Sequence, residues 1–82
     1  MEIRLLRSAS KYIAKLNEPI KSKILDGIKK LENDPPQGDI KTLSGQDGYR
    51  LRIGNYRILF EIRNNNIEIS NIGLRGQIYK RK

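Results

Sequence analysis

Cysteine and histidine are absent from this chain of 82 residues. Their absence removes disulfides, thiolate nucleophiles, histidine-based zinc sites, Ser-His-Asp machinery and any imidazole acid/base pair. Whatever chemistry the chain performs must run on Arg, Lys, Tyr, Glu or Asp. No apolar run approaches the roughly 18 residues needed to cross a bilayer. The start Met1-Glu2-Ile3-Arg4-Leu5 lacks the pattern of a signal peptide, so a soluble cytoplasmic protein is expected. No repeat, low-complexity segment or composition break divides the chain, and a single domain over residues 1–82 is expected. A chain this short buries a core that is only marginally stabilising by itself, and a bound partner would add to it.

Acidic residues are also scarce. Lys and Arg number 17 against 9 Asp and Glu, a formal net charge of +8 with a pI near 10.1. Such a balance favours nucleic acid or acidic protein segments as partners. Residues 41–82 hold nine basic and three acidic side chains, residues 1–40 eight and six, which directs attention to the C-terminal half.

The most informative stretch is Tyr49-Arg50-Leu51-Arg52-Ile53-Gly54-Asn55-Tyr56-Arg57-Ile58-Leu59-Phe60. Alternation of period two on both sides of Gly54-Asn55 predicts a hairpin with a two-residue turn. In that register Ile53 faces Tyr56, Arg52 faces Arg57, Leu51 faces Ile58 and Tyr49 faces Phe60. One face of the ribbon is then apolar, and the other carries Arg50, Arg52 and Arg57. Like charges directly opposite one another destabilise a sheet, so the pair points to an anion. The competing reading is a solvated face with splayed guanidiniums.

Around the hairpin, Met1–Leu6 predicts a short strand. Ser8-Ala9-Ser10 can cap a helix reaching about Leu16, and Asn17-Glu18-Pro19 can start a second helix that runs to about Asn33. Asp34-Pro35-Pro36 ends it. Ile40–Leu43 is extended, and a turn at Asn64-Asn65 would pair Ile62 with Ile67 and Phe60 with Ile69. The expected architecture is α+β: two N-terminal helices packed on one face of a small antiparallel sheet, in the order β-α-α-β-β-β. The tail Arg75-Gly76-Gln77-Ile78-Tyr79-Lys80-Arg81-Lys82 adds further cations around one aromatic ring. Arginine suits phosphate because its planar fork donates two parallel hydrogen bonds and stays charged. A tyrosine among cations offers a stacking surface for an unpaired base.

The order of these elements, with Leu43-Ser44-Gly45, Tyr49-Arg50-Leu51-Arg52-Ile53, Tyr56-Arg57-Ile58-Leu59-Phe60-Glu61-Ile62 and Ile72-Gly73-Leu74-Arg75-Gly76-Gln77-Ile78-Tyr79, resembles the RelE/ParE superfamily of bacterial toxins. In the RelE branch the resemblance implies an endonuclease that cuts messenger in the ribosomal A site. The ribose 2′-hydroxyl attacks the adjacent phosphate there, with no metal or other cofactor. It further implies that Arg57 and Arg75 hold the scissile phosphate and that Tyr79 stacks on a substrate base. Apart from the resemblance, Lys80 and Arg81 are expected to contact RNA from their charge beside Tyr79, whereas Arg50 and Arg52 stand where RelE-like enzymes often have lysines. Arginine does not give up its proton, so Arg50 and Arg52 can stabilise a phosphorane but cannot act as bases. The general base stays open between Glu61, on the same strand face as Arg57, and Tyr79. The alternative is a ParE-like toxin that inhibits DNA gyrase and cleaves nothing; a third class is a basic RNA-binding or ribosomal protein. Ribosome, messenger and a small acidic antitoxin are the partners expected.

Overall fold

A computed structural model of the chain describes residues 2–33, 35–43, 45 and 47–74. Strand β1 (Glu2–Leu5) leads into helix α1 (Arg7–Ala14) and helix α2 (Ile20–Lys29), which tightens into a 3₁₀ turn at Lys30–Glu32. Strands β2 (Asp39–Thr42), β3 (Tyr49–Ile53), β4 (Tyr56–Arg63) and β5 (Asn66–Leu74) follow. They form one sheet in the order β1-β5-β4-β3-β2. The α+β class expected from the sequence is what the structure shows.

Both hairpins have the expected registers. Ile53 pairs with Tyr56, Arg52 with Arg57, Leu51 with Ile58 and Tyr49 with Phe60. Gly54, at the first turn position, has φ 58°, a conformation that glycine adopts without a Cβ penalty. Asn64 and Asn65 take φ 50° and 65°, and this turn pairs Ile62 with Ile67 and Phe60 with Ile69.

Two features correct the sequence reading. The sheet is mixed rather than antiparallel: β1 lies parallel to β5, Ile3 beside Ile67 and Leu5 beside Ile69. The two helices between them act as the crossover that a parallel pairing needs. The second feature is a β-bulge at Ser70, where Leu59 pairs with Asn71 but Phe60 pairs with Ile69. Strict alternation would turn Ile72 away from Ile67 and Ile69. The extra residue restores it to their face, and all three are buried. The bulged Ser70 Oγ donates to the Leu59 carbonyl at 3.3 Å.

Helix ends also shift. Leu6, which donates its amide to Ile69 O, occupies the N-cap of α1 with no side-chain bond, so the Ser8-Ala9-Ser10 cap does not form. At α2 the Glu18 carboxylate, rather than the Asn17 side chain, accepts from Ser22 N (3.1 Å) and Ser22 Oγ. An acidic side chain there also suits the positive helix end. The core lies between the layers: Ala9 and Ile13 from α1, Ile24 and Ile28 from α2, and Leu31, against Leu51, Ile58, Phe60, Ile67, Ile69 and Ile72. Helix α1 packs on β5 and β1, and α2 on β3. Gly27 faces Ile53, whose Cδ1 would have to turn aside for a Cβ at that position.

Candidate functional site

The sheet face away from the helices carries the polar set. The registers bring Arg57 opposite Arg52 on one side and Gly73 on the other, with Arg50 opposite Leu59. Glycine at 73 places no side chain beside the guanidinium. Lys41 and Asp39 of β2 line up with Arg50 and Arg52.

Arg57 is 6% exposed, the one buried charged side chain among the described residues. Its Nη1 is buried with no hydrogen-bond partner among them, and so is Arg50 Nη1. Buried donors are normally satisfied, and an orphaned one costs about 1–3 kcal/mol, more when charged. Two orphaned guanidinium nitrogens on neighbouring strands of one face thus form a cradle with unmet demand for an acceptor. The Arg52–Arg57 opposition is relieved from the side: Arg52 Nε donates to Asp39 Oδ2 at 2.6 Å. That bond, reinforced by the charges of Arg52, Arg50 and Lys41, holds the Asp39 carboxyl below its ordinary value. Asp39 is the residue that the sequence reading missed. The strand was expected from Ile40, and nothing local marks a side chain thirteen positions away as the partner of Arg52.

Farther along β4 the face changes sign. Glu61 pairs in register with Glu68, a like-charge opposition, and Arg63 bridges them. Its Nη2 is 2.6 Å from Glu61 Oε1 and its Nε 3.8 Å from Glu68 Oε1. The bond to Glu61, and then the charges of Glu61 and Glu68, raise the Arg63 pKa. Glu61 does share a face with Arg57, but it lies four positions farther along, about 13 Å along a strand. Its carboxylate is held by Arg63. The structure therefore gives Glu61 a charge-balancing partner and keeps it away from the cradle.

Arg50, Arg52 and Arg57 are brought together as expected. Arg75, Tyr79, Lys80 and Arg81 lie outside the described residues. Leu74, which pairs with Tyr56, precedes Arg75 directly in the sequence. Among the described residues no group of His, Cys, Asp or Glu is arranged to hold a metal ion. No described helix is long and apolar enough to cross a membrane.

Solved structures share this fold. The RelE–RelB complex of the archaeon Pyrococcus horikoshii matches with a TM-score of 0.77 and 24% identity over 93% of this chain and 96% of that one. The RelB–RelE antitoxin–toxin complex of Methanococcus jannaschii gives 0.76 and 25% over 93% and 94%. The intact RelBE toxin–antitoxin complex of E. coli gives 0.77 and 15% over 93% and 98%. No curated protein matches the chain by sequence. A family model described as the ParE toxin of the type II toxin–antitoxin system, parDE, matches residues 3–79. With that match across nearly its whole length, and a fold shared with RelE toxins, the chain belongs to the ParE toxin family, within the RelE/ParE superfamily of type II toxins.

Proposed function

We propose that this toxin is a ribosome-dependent messenger endonuclease and that the arginine face is its active site. The observation that carries the reading is the pair of buried, unpartnered Nη1 atoms of Arg50 and Arg57. A phosphodiester supplies the acceptor oxygens that these donors lack. The ribose 2′-oxygen attacks the adjacent phosphorus as its proton passes to water, and the bond to the 5′-oxygen breaks with that oxygen taking a proton from water. A 2′,3′-cyclic phosphate and a 5′-hydroxyl result. Charge on the non-bridging oxygens rises in the phosphorane, where fixed guanidiniums act most strongly. Arg52, tethered through Nε, keeps its terminal nitrogens for this purpose. Arg75 joins the phosphate contacts, Tyr79 stacks on a base, and Lys80 and Arg81 contact the RNA backbone. The roles of Arg75 and Tyr79 rest on the resemblance to RelE, and those of Lys80 and Arg81 on their charge beside Tyr79 in the sequence.

With Glu61 engaged by Arg63 and the arginines locked as cations, the described face offers no evident base. The site can bind and polarise a phosphate, and the ribosome supplies the in-line geometry. Orientation of that kind is worth a large part of a barrier. An acidic antitoxin is the proposed neutralising partner for the +8 surface. The toxin and its messenger would meet in the cytoplasm.

The second reading, inhibition of DNA gyrase without cleavage, is favoured by the ParE description of the matching family. Induction of the toxin followed by primer extension on cellular messenger and by plasmid supercoiling assays separates them. Codon-positioned breaks with unchanged supercoiling are expected. Relaxed plasmid with intact messenger would replace the nuclease by the gyrase poison.

A further inference from the structure

Helix α1 carries a row of cations on the side of the molecule opposite the cradle. Arg7, Lys11 and Lys15 recur at every fourth position, are exposed, and have no ion-pair partner among the described residues. Ala9 and Ile13, on the other side of the helix, are buried against the sheet. At a rise of about 1.5 Å per residue the charges stand about 6 Å apart along a row of about 12 Å.

This row strains the first turn of the helix, while Lys11 in the last turn and Lys15 at the C-cap suit its negative end. Cations four residues apart repel, and α1 contains no acidic residue to offset them. Arg7 occupies the first turn, the positive end of the helix dipole, where an acidic residue would be favoured. Local choices that conflict with the local element mark function rather than folding. The exposed residues between the cations, Ser8, Ser10 and Ala14, are small, and the nearest exposed large apolar side chains, Leu5 and Leu6, precede the first turn of the helix. A protein partner would require an apolar anchor there, whereas a phosphate backbone requires only charge and close approach.

We propose that the Arg7-Lys11-Lys15 row of α1 is a second nucleic-acid surface that grips the backbone of double-helical RNA while the cradle faces a single strand. The choice of RNA rests on the nuclease reading. The charge row itself does not. With α1 and the arginine face on opposite sides, the toxin is built to sit between two RNA walls.

The test uses the whole chain and a short blunt RNA duplex, with affinity followed by fluorescence anisotropy across a salt series. The triple variant R7Q/K11Q/K15Q should bind more weakly, and its slope of log K against log salt should be shallower by about 2–3, from roughly 0.9 per lost phosphate contact. The control variant K23Q/K29Q/K30Q, on α2 and the turn that follows it, removes the same charge and should leave the slope within about 1 of wild type. Equal loss in both triples would mean that only net charge matters and would overturn the proposal. So would a loss of affinity for polyglutamate by R7Q/K11Q/K15Q matching its loss for the duplex, or tighter binding of a DNA duplex than of the RNA. Circular dichroism melts confirm that both triples are folded. Codon-positioned breaks are read separately in wild type, so their absence removes the nuclease reading while the duplex measurement still stands.

Discussion

Arg57→Met puts stability and function of the cradle in direct opposition. Arg57 is 6% exposed, and its Nη1 has no partner among the described residues. Leaving such a donor unsatisfied costs about 1–3 kcal/mol, and even a buried ion pair is often replaced by apolar side chains of similar volume with no loss or a gain of about 1–4 kcal/mol. Methionine keeps most of the packing volume and also removes the like charge opposite Arg52. A gain of about 2 kcal/mol is expected, which for a domain of this size raises Tm by about 12 °C. Phosphate should do to wild type what the substitution does permanently. At a hundred times its Kd a ligand adds about 2.7 kcal/mol, and the variant should gain little of this. Loss of a contact that strengthens in the transition state costs on the order of 10²–10³ in rate, so toxicity should disappear from a better-folded protein. Thermal melts with and without phosphate at fixed ionic strength, run beside growth assays, decide the matter. A variant that melts lower, or one that stays toxic, refutes the assignment of this arginine to an anion.

Four further outcomes are expected. Arg75→Ala and Tyr79→Ala should each abolish messenger cleavage without lowering Tm, checked by primer extension beside melts; retained cleavage would remove them from the site. Asp39, held below its ordinary value by Arg52, adds stability above about pH 4 that disappears as pH falls through its depressed value. Asp39→Asn should lack that acid limb in pH-dependent melts. Gly27→Ala should change stability by no more than about 1 kcal/mol in denaturant titrations, because the end of the half-exposed Ile53 side chain can turn away from the new Cβ while alanine gains up to about 1 kcal/mol over glycine inside a helix; a loss above about 2 kcal/mol would show that Ile53 is fixed. Purified toxin should leave naked RNA largely uncut yet cleave messenger on translating ribosomes in a reconstituted reaction; efficient cutting of free RNA would instead demand a base within the protein.

Much of the candidate site is legible in the amino-acid sequence, because it rests on short-range rules. Alternation of period two with Gly54-Asn55 as a turn dictates that Arg52 opposes Arg57, and parity alone puts Arg50 on the same side. The same logic through Asn64-Asn65 aligns Phe60 with Ile69. Parity also puts Glu61 on the arginine face, but it cannot say that Arg63 holds it.

What the sequence determined by itself is therefore the pair of hairpins, the two helices and the division of the ribbon into an apolar and an arginine face. Each depends on residues within a turn or a few ladder steps of one another. Tertiary structure decided the rest. It set β1 parallel beside β5, inserted the bulge at Ser70 that returns Ile72 to the core, brought Asp39 onto Arg52, and buried Arg57. These depend on which distant strands meet and what covers them, and no periodicity in the chain encodes contacts between segments so far apart.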